Sequence, residues 1–370
     1  MINRRGFMSR ALVGATGTTF STSCLKTTIN FGTEKVDPRE KTLMHVGTQR
    51  PPTNSQMLQY FKRHGVNNIC GYPPHPGDRG YWTISELETT QELCAKHAIN
   101  LDLVQLPAML SNRIDRAERP GIMSGQSPER DRHIEDICTM IRNCSKVGIP
   151  AIKYNLSILG VLRVSPTPGR GGSEYSTWRL EEGKENTPFN KTKQVNSVTF
   201  WERITYFLQR IIPVAEEYKV RMACHPHDPG VPTKGFQGVD RVLGTVEGLK
   251  QFISIQENSY HGLNLCTGTV AEMLQDPRKQ IHDVIRYFGN RKKIFNIHFR
   301  NIQGHRNNFQ EVFPDEGDMD MVHVARTLKE VNYPYMVMPD HLPTHSDDLG
   351  GLQAFAYGYG YIKGIIQAVS

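Results

Sequence analysis

Two histidines, a cysteine and an aspartate are the residues through which this chain can do chemistry. They are His225 in Cys224-His225-Pro226-His227-Asp228, Cys266 in Gly262-Leu263-Asn264-Leu265-Cys266-Thr267-Gly268, His298 in His298-Phe299-Arg300-Asn301, and Asp340 in Pro339-Asp340-His341. Imidazole, thiolate and carboxylate together suit a divalent ion, and a donor set this mixed does not choose among Zn2+, Mn2+ and Fe2+. An ion held with coordination positions open grips a substrate oxygen and stabilises enolate-like charge. Taken singly, each residue has a plainer use as a hydrogen-bonded loop histidine, a small buried cysteine or a helix-capping aspartate. Position sets them apart. Each follows a short apolar run, and successive members lie 41, 32 and 42 residues apart, one strand and one helix at a time.

Those runs are the last four of eight strand candidates: Thr42 to Val46, Val66 to Cys70, Leu101 to Val104, Ala151 to Tyr154, Val220 to Cys224, Leu263 to Leu265, Ile294 to Ile297 and Tyr335 to Met338. Amphipathic stretches lie between them, including Ser85 to His97, Pro128 to Val147, Phe200 to Tyr218 and Val322 to Val331. In the third of these, Phe200, Ile204, Phe207, Leu208 and Ile211 recur at helical spacing, a packing stripe rather than a functional surface. Strand and helix alternating to the C-terminus imply parallel strands with right-handed crossovers, and eight strands close a (β/α)8 TIM barrel over residues 41–370. A doubly wound sheet is the alternative, but no glycine fingerprint follows the first strand. In a parallel barrel, residues just past the strand ends converge on one mouth, so the four candidate ligands meet there. Two connections are long. Asn155 to Ser197 has the composition of a loop covering the catalytic face, without P-loop spacing in Gly169-Arg170-Gly171-Gly172, and Asn301 to Asp318 follows the seventh strand.

The 370 residues carry a formal charge of +7, but the basic groups are scattered and form no stripe interleaved with aromatics, which excludes a nucleic-acid groove. Seven cysteines without framework spacing exclude a disulfide scaffold. Residues 1–40 read as a targeting segment and linker: Asn3-Arg4-Arg5-Gly6-Phe7-Met8 and a short apolar stretch to Phe20 resemble a twin-arginine export signal, implying a periplasmic protein. Ser21-Thr22-Ser23 is a poor lipobox before Cys24, so a membrane anchor arises only if Cys24 is lipidated.

The same segments, together with Gly317-Asp318-Met319-Asp320-Met321, resemble the ordered motifs of the mannonate dehydratase family, among the xylose-isomerase-like barrels. The resemblance implies a divalent metal, manganese before iron or zinc, on His225, Cys266, His298 and Asp340. It further implies His341 as acid/base residue, Arg300 with the adjoining Asn301 as substrate-binding groups, and removal of water from D-mannonate to give 2-keto-3-deoxy-D-gluconate. The small-molecule partner is then a sugar acid or sugar, and a homo-oligomer is compatible with the family. This sequence departs from the pattern at His227, where the family has Asp and where a second acid/base group could stand. It departs again at Pro314, in place of His, and after His341, where Leu342-Pro343-Thr344-His345 replaces a glycine and a later tyrosine. Tyr357 and Tyr359 read as packing residues. A metal-dependent isomerase or epimerase on the same barrel, or a carbohydrate-binding barrel without catalysis, are the alternatives.

Overall fold

Eight short apolar runs pair edge to edge into a closed parallel barrel in the computed structural model, which describes residues 44–183, 194–230 and 235–370. The strands are β1 (His45–Thr48), β2 (Asn68–Gly71), β3 (Asn100–Gln105), β4 (Ala151–Asn155), β5 (Arg221–His225), β6 (His261–Cys266), β7 (Ile294–His298) and β8 (Met336–Met338). Their order round the barrel is their order in the chain, and β8 closes on β1 through His45 opposite Met336 and Val46 opposite Val337. Every residue of β4, β6 and β7 is buried, because side chains face either the barrel interior or the covering helices and neither face meets water. All eight expected strands form, each shifted by a few residues. The export segment at residues 1–40, with Cys24, and the first two residues of Thr42 to Val46 lie outside the described residues.

The expected helices are present as Ile84–Lys96, Glu129–Val147, Ser197–Glu217 and Met321–Glu330. The third starts where the Asn196 side chain accepts from the Thr199 amide, and ends as Lys219 turns to φ 58°. Its stripe of Phe200, Ile204, Phe207, Leu208 and Ile211 is buried against the barrel. Removing one such ring, as in Phe207→Ala, costs about 3–5 kcal/mol. Among the described residues no helix is long and apolar enough to cross a membrane.

The two long connections are more ordered than loop composition implied. Ile302–His305 and Asn308–Glu311 form a hairpin after β7, and Thr177–Arg179 from the connection after β4 adds to it as a third antiparallel strand. Trp178, 2% exposed, packs edge-on to Phe236 and fastens this small sheet over the barrel mouth. The two connections therefore act as one cap.

Two histidines are buried away from the mouth, and among the described residues only His133 of the two has a carboxylate nearby, Glu129 at 3.9 Å. His261 donates from Nε2 to the Phe252 carbonyl, and His133 sits inside the helix layer at 3% exposure. Burial pushes both down to about 4, with Arg119 adding to the effect at His133. Folding thus favours their neutral forms, so their stability contribution is complete above the ordinary pKa of 6.5 and is lost as pH falls from 6.5 toward 4. Each contributes up to about 1.4 kcal/mol per pH unit in that window. Melting temperature followed from pH 7 to 4.5 is expected to fall progressively, and the fall is expected to be shallower in His261→Gln, which keeps a donor for Phe252.

Candidate metal centre and active site

Strands β5, β6 and β7 end on His225, Cys266 and His298, and Asp340 stands two residues past β8. Parallel register sets Cys266 opposite His298 and His298 opposite Met338, so neighbouring strand ends arrive at one height. One ligand atom from each of the four residues lies within 4.8 Å of the others. Sequence spacing and barrel closure together account for this meeting.

The hydrogen bonds around the cluster hold one nitrogen of each imidazole and leave the other for it. His225 donates from Nδ1 to the Pro226 carbonyl at 2.7 Å, which turns Nε2 toward the other three. His298 donates from Nε2 to Gln49 Oε1 at 2.8 Å, and its Nδ1 has no hydrogen-bond partner although it is buried. That nitrogen lies 3.3 Å from Asp340 Oδ1. A neutral imidazole lone pair facing a carboxylate is unfavourable unless a cation stands between them, and this orphaned atom is the observation that fits a metal to the residues present. Burial, reinforced by His298 and Lys153, holds His225 well below its usual range; burial likewise pushes His298 down to about 4 against the pull of Asp340. Both are therefore neutral donors. Burial alone would raise Asp340, but His298, His341 and Arg300 outweigh it and keep the carboxyl well below its usual range. Cys266 Sγ lies 3.6 Å from Asp340 Oδ2, and burial pushes the thiol up, so binding an ion requires it to release a proton.

Gln49, just past β1, ties the cluster together. Its amide donates to Asp340 Oδ1 at 2.9 Å while its carbonyl accepts from His298 and from Lys153 on β4. Neither Gln49 nor Lys153 was singled out from the sequence. Lys153 lies two residues inside β4, but the same rule that found the four candidate ligands, position at the C-terminal end of a strand, would have found Gln49 in the first half of the barrel. It would also have found Tyr72, Gln105 and Asn155, which line the same cavity of about 230 Å3.

His341 borders this cavity with 39% of its side chain exposed and Nδ1 2.8 Å from Glu311 Oε1, leaving Nε2 toward the opening, 3.9 Å from Asp340 Oδ1. Burial would lower its pKa, but Asp340 and Glu311 prevail and raise it. The position is one from which a proton can be moved to or from a bound molecule.

Three expected site residues do other work. His227 was expected as a second acid/base group. Its Nε2 donates to the Leu156 carbonyl at 2.9 Å and its Nδ1 accepts from the Leu243 amide at 3.3 Å, so both nitrogens are committed to backbone. Burial and then Arg241 push its pKa down to about 3, and the ring is a neutral brace. Asn301 was expected to bind substrate, yet its amide donates to the Pro314 and Met319 carbonyls and accepts from the Ile302 and Met319 amides, pinning the turn that carries Gly317. Arg300 was expected there too. Its guanidinium is completely buried outside the cavity, bonded to Asp228 at 2.8 Å, Glu272 at 2.6 Å, Glu311 at 2.6 Å and Thr269 at 2.8 Å. Gly268 is required above it, because a Cβ there would overlap Arg300 Nε. Arg163, from the connection after β4, meets Asp228 at 2.7 Å and also pairs with Glu311. Asp228, Glu311 and His341 could by themselves hold a second ion, but two guanidinium groups already neutralise these carboxylates.

Residues 170–370 match the family model described as D-mannonate dehydratase (UxuA). The chain belongs to the D-mannonate dehydratase family. Family membership makes it a metal-dependent hydro-lyase. It is 28% identical to the mannonate dehydratase of Endomicrobium trichonymphae over 295 residues, 70% of this chain and 76% of the relative. It is 25% identical to mannonate dehydratase 2 of Halalkalibacterium halodurans over 353 residues, 86% and 97% of the two chains. The crystal structure of mannonate dehydratase from Streptococcus suis superposes with a TM-score of 0.75 at 23% identity, covering 88% of this chain and 95% of the other. A xylose isomerase domain protein from Planctomyces limnophilus shares the fold at a TM-score of 0.57 and 14% identity.

The role of Gln49 can be isolated from that of the ligands. Gln49→Leu keeps all four donors but removes the acceptor of His298 and the donor to Asp340, and is expected to weaken metal binding about 10- to 100-fold, read by titration of the metal-free protein.

Proposed function

We propose that this chain removes water from D-mannonate to give 2-keto-3-deoxy-D-gluconate, with Mn2+ held by His225, Cys266, His298 and Asp340. One observation carries the choice of an acid over a neutral sugar. The wall of the metal cavity includes Lys153 and Arg241, and among the described residues neither has a carboxylate within ion-pair distance. Lys153 donates to the Gln49 carbonyl, and Arg241 donates to the carbonyls of Pro229 and Gly160. Burying a cation against neutral partners is costly, and an anionic substrate compensates both. Burial lowers Lys153 and brings Arg241 down to about 10, the direction expected of cations awaiting a counter-charge.

Bound at the four ligands, a divalent ion supplies Lewis-acid polarisation of substrate oxygens. The chain's own groups supply the rest. Lys153 and Arg241 orient the carboxylate, and the cap of Thr177–Arg179 and the β7 hairpin excludes water. His341, steadied by Glu311, moves a proton at Nε2. In the reaction the C2–H and C3–O bonds break, water departs with the C3 hydroxyl, and the C2–C3 enol takes a proton at C3 to become the ketone. Arg300, whose Nη1 lies 2.9 Å from His341 Nδ1, and Arg163, which pairs with Glu311, act as positioning residues for His341.

We further propose that residues 1–40 export the folded metalloprotein through the twin-arginine signal. Replacing Arg4 and Arg5 together by Lys is expected to leave the protein in the cytoplasmic fraction; unchanged periplasmic recovery would remove this reading.

The dehydratase reading is tested by incubating purified, manganese-loaded protein with D-mannonate and following 2-keto-3-deoxy-D-gluconate. Product is expected, its formation abolished by a chelator and restored by Mn2+. In His341→Asn, kcat is expected to fall about 10²- to 10⁴-fold at unchanged metal content. Full metal occupancy without product would sink the assignment, and activity of His341→Asn equal to the parent's would remove His341 from the proton path.

A further inference from the structure

The metal cavity does not end at the space a sugar acid fills. Tyr72, Gln105, Leu110, Asn112, Asn155 and Ser157 border it on one side and a second chamber of about 290 Å3 on the other. The two spaces thus share a wall of six residues and differ in chemistry. Around the metal the lining is imidazole, amide and charged groups. The chamber has an apolar wall of Trp82, Met109, Ile114, Ile122 and Met123, each no more than 6% exposed, and a charged rim of His75, Arg116, Glu118 and Arg119. The Trp82 indole nitrogen is turned away into a 2.7 Å bond with the Pro74 carbonyl.

Nothing on an unsubstituted six-carbon sugar acid matches the apolar wall. Its hydroxyls would exchange water for methionine, isoleucine and tryptophan side chains, at a cost in hydrogen bonds. An apolar group placed there is favoured in proportion to the surface it hides, and deep apolar chambers with a few polar groups at one end are the usual form of small-molecule sites. Resting on the sugar-acid reading above, we propose that the site takes sugar acids carrying an apolar substituent, an aryl or alkyl group at the end remote from the carboxylate, and that this group occupies the chamber. Dehydration at C2 and C3 requires those carbons at the metal end. The opposite end of the chain is then the one free to reach past Tyr72 and Asn155. The chamber sets substrate class, whereas the metal end sets the reaction.

Metal-loaded protein titrated calorimetrically with D-mannonate and with 6-O-benzyl-D-mannonate tests this. The benzylated probe is expected to bind at least about ten-fold more tightly, from the apolar surface of the ring. Ala108→Phe and, as a second variant, Ala117→Phe fill the chamber from positions that do not border the metal cavity. Each is expected to abolish the gain while leaving the Kd of D-mannonate within about two-fold. Equal or weaker binding of the benzylated probe by the parent protein would overturn the proposal, as would a gain that survives in both folded variants. Benzylated probe that binds in a manner sensitive to these variants, beside D-mannonate that neither binds nor reacts, would uphold the chamber and overturn the choice of D-mannonate.

Discussion

The buried carboxylates at the barrel mouth are the constraint on which the site depends. Asp228, Glu272 and Glu311 lie out of water and close together, an arrangement that is strongly unfavourable unless cations reach all three. Arg300, rising from the end of β7, touches each of them, and Arg163 reaches Asp228 and Glu311 from the connection after β4. Because the five groups come from four different connections, those after β4, β5, β6 and β7, their mutual neutralisation ties those connections into one body. His341 hangs on that body through Glu311, and its direction is set by charge compensation rather than by its own backbone.

The four candidate ligands obey a different logic. They are delivered by strand ends whose heights are fixed by backbone hydrogen bonding, so the cluster needs little from the loops. Arg300, 3.7 Å from Asp340 Oδ2, links the two systems of order, and Gln49 ties the strand ends to one another. It joins β1 to His298 and Asp340, and through Lys153 it joins them to β4. A parallel barrel makes this possible because opposite strands present their ends to one enclosed space.

A shared barrel does not select a reaction, which is set by the groups around the mouth. Here those groups divide into a polar end with the candidate ligands, Lys153 and Arg241, and an end with an apolar wall of Trp82, Met109, Ile114, Ile122 and Met123. The residues where the chain departs from the family's pattern sit around this division without forming it. His227 braces two backbone segments, and the Pro314 carbonyl accepts from Asn301. Tyr359 packs as expected, donating or accepting a bond with Thr48 at 2.7 Å, whereas the phenol that borders the cavity is Tyr72, from the opposite half of the chain.

By itself the sequence determined the barrel and the meeting of four candidate ligands at its mouth. Periodic alternation of strand and helix is a local property, and in a closed parallel barrel it dictates that His225, Cys266, His298 and Asp340 share one mouth. It did not determine what His227, Asn301 and Arg300 do, although they neighbour those ligands in the chain. Adjacent residues past a strand end point in different directions, and which one reaches the cavity depends on the loop's path. That path is decided by long-range partners: Leu156 and Leu243 for His227, Pro314 and Met319 for Asn301, and Asp228, Glu272 and Glu311 for Arg300. The same barrel argument reaches Gln49, one residue past β1, whereas only the tertiary structure places Lys153, inside β4, and Arg241, in the connection after β5, on the cavity wall, because neither stands at a strand end.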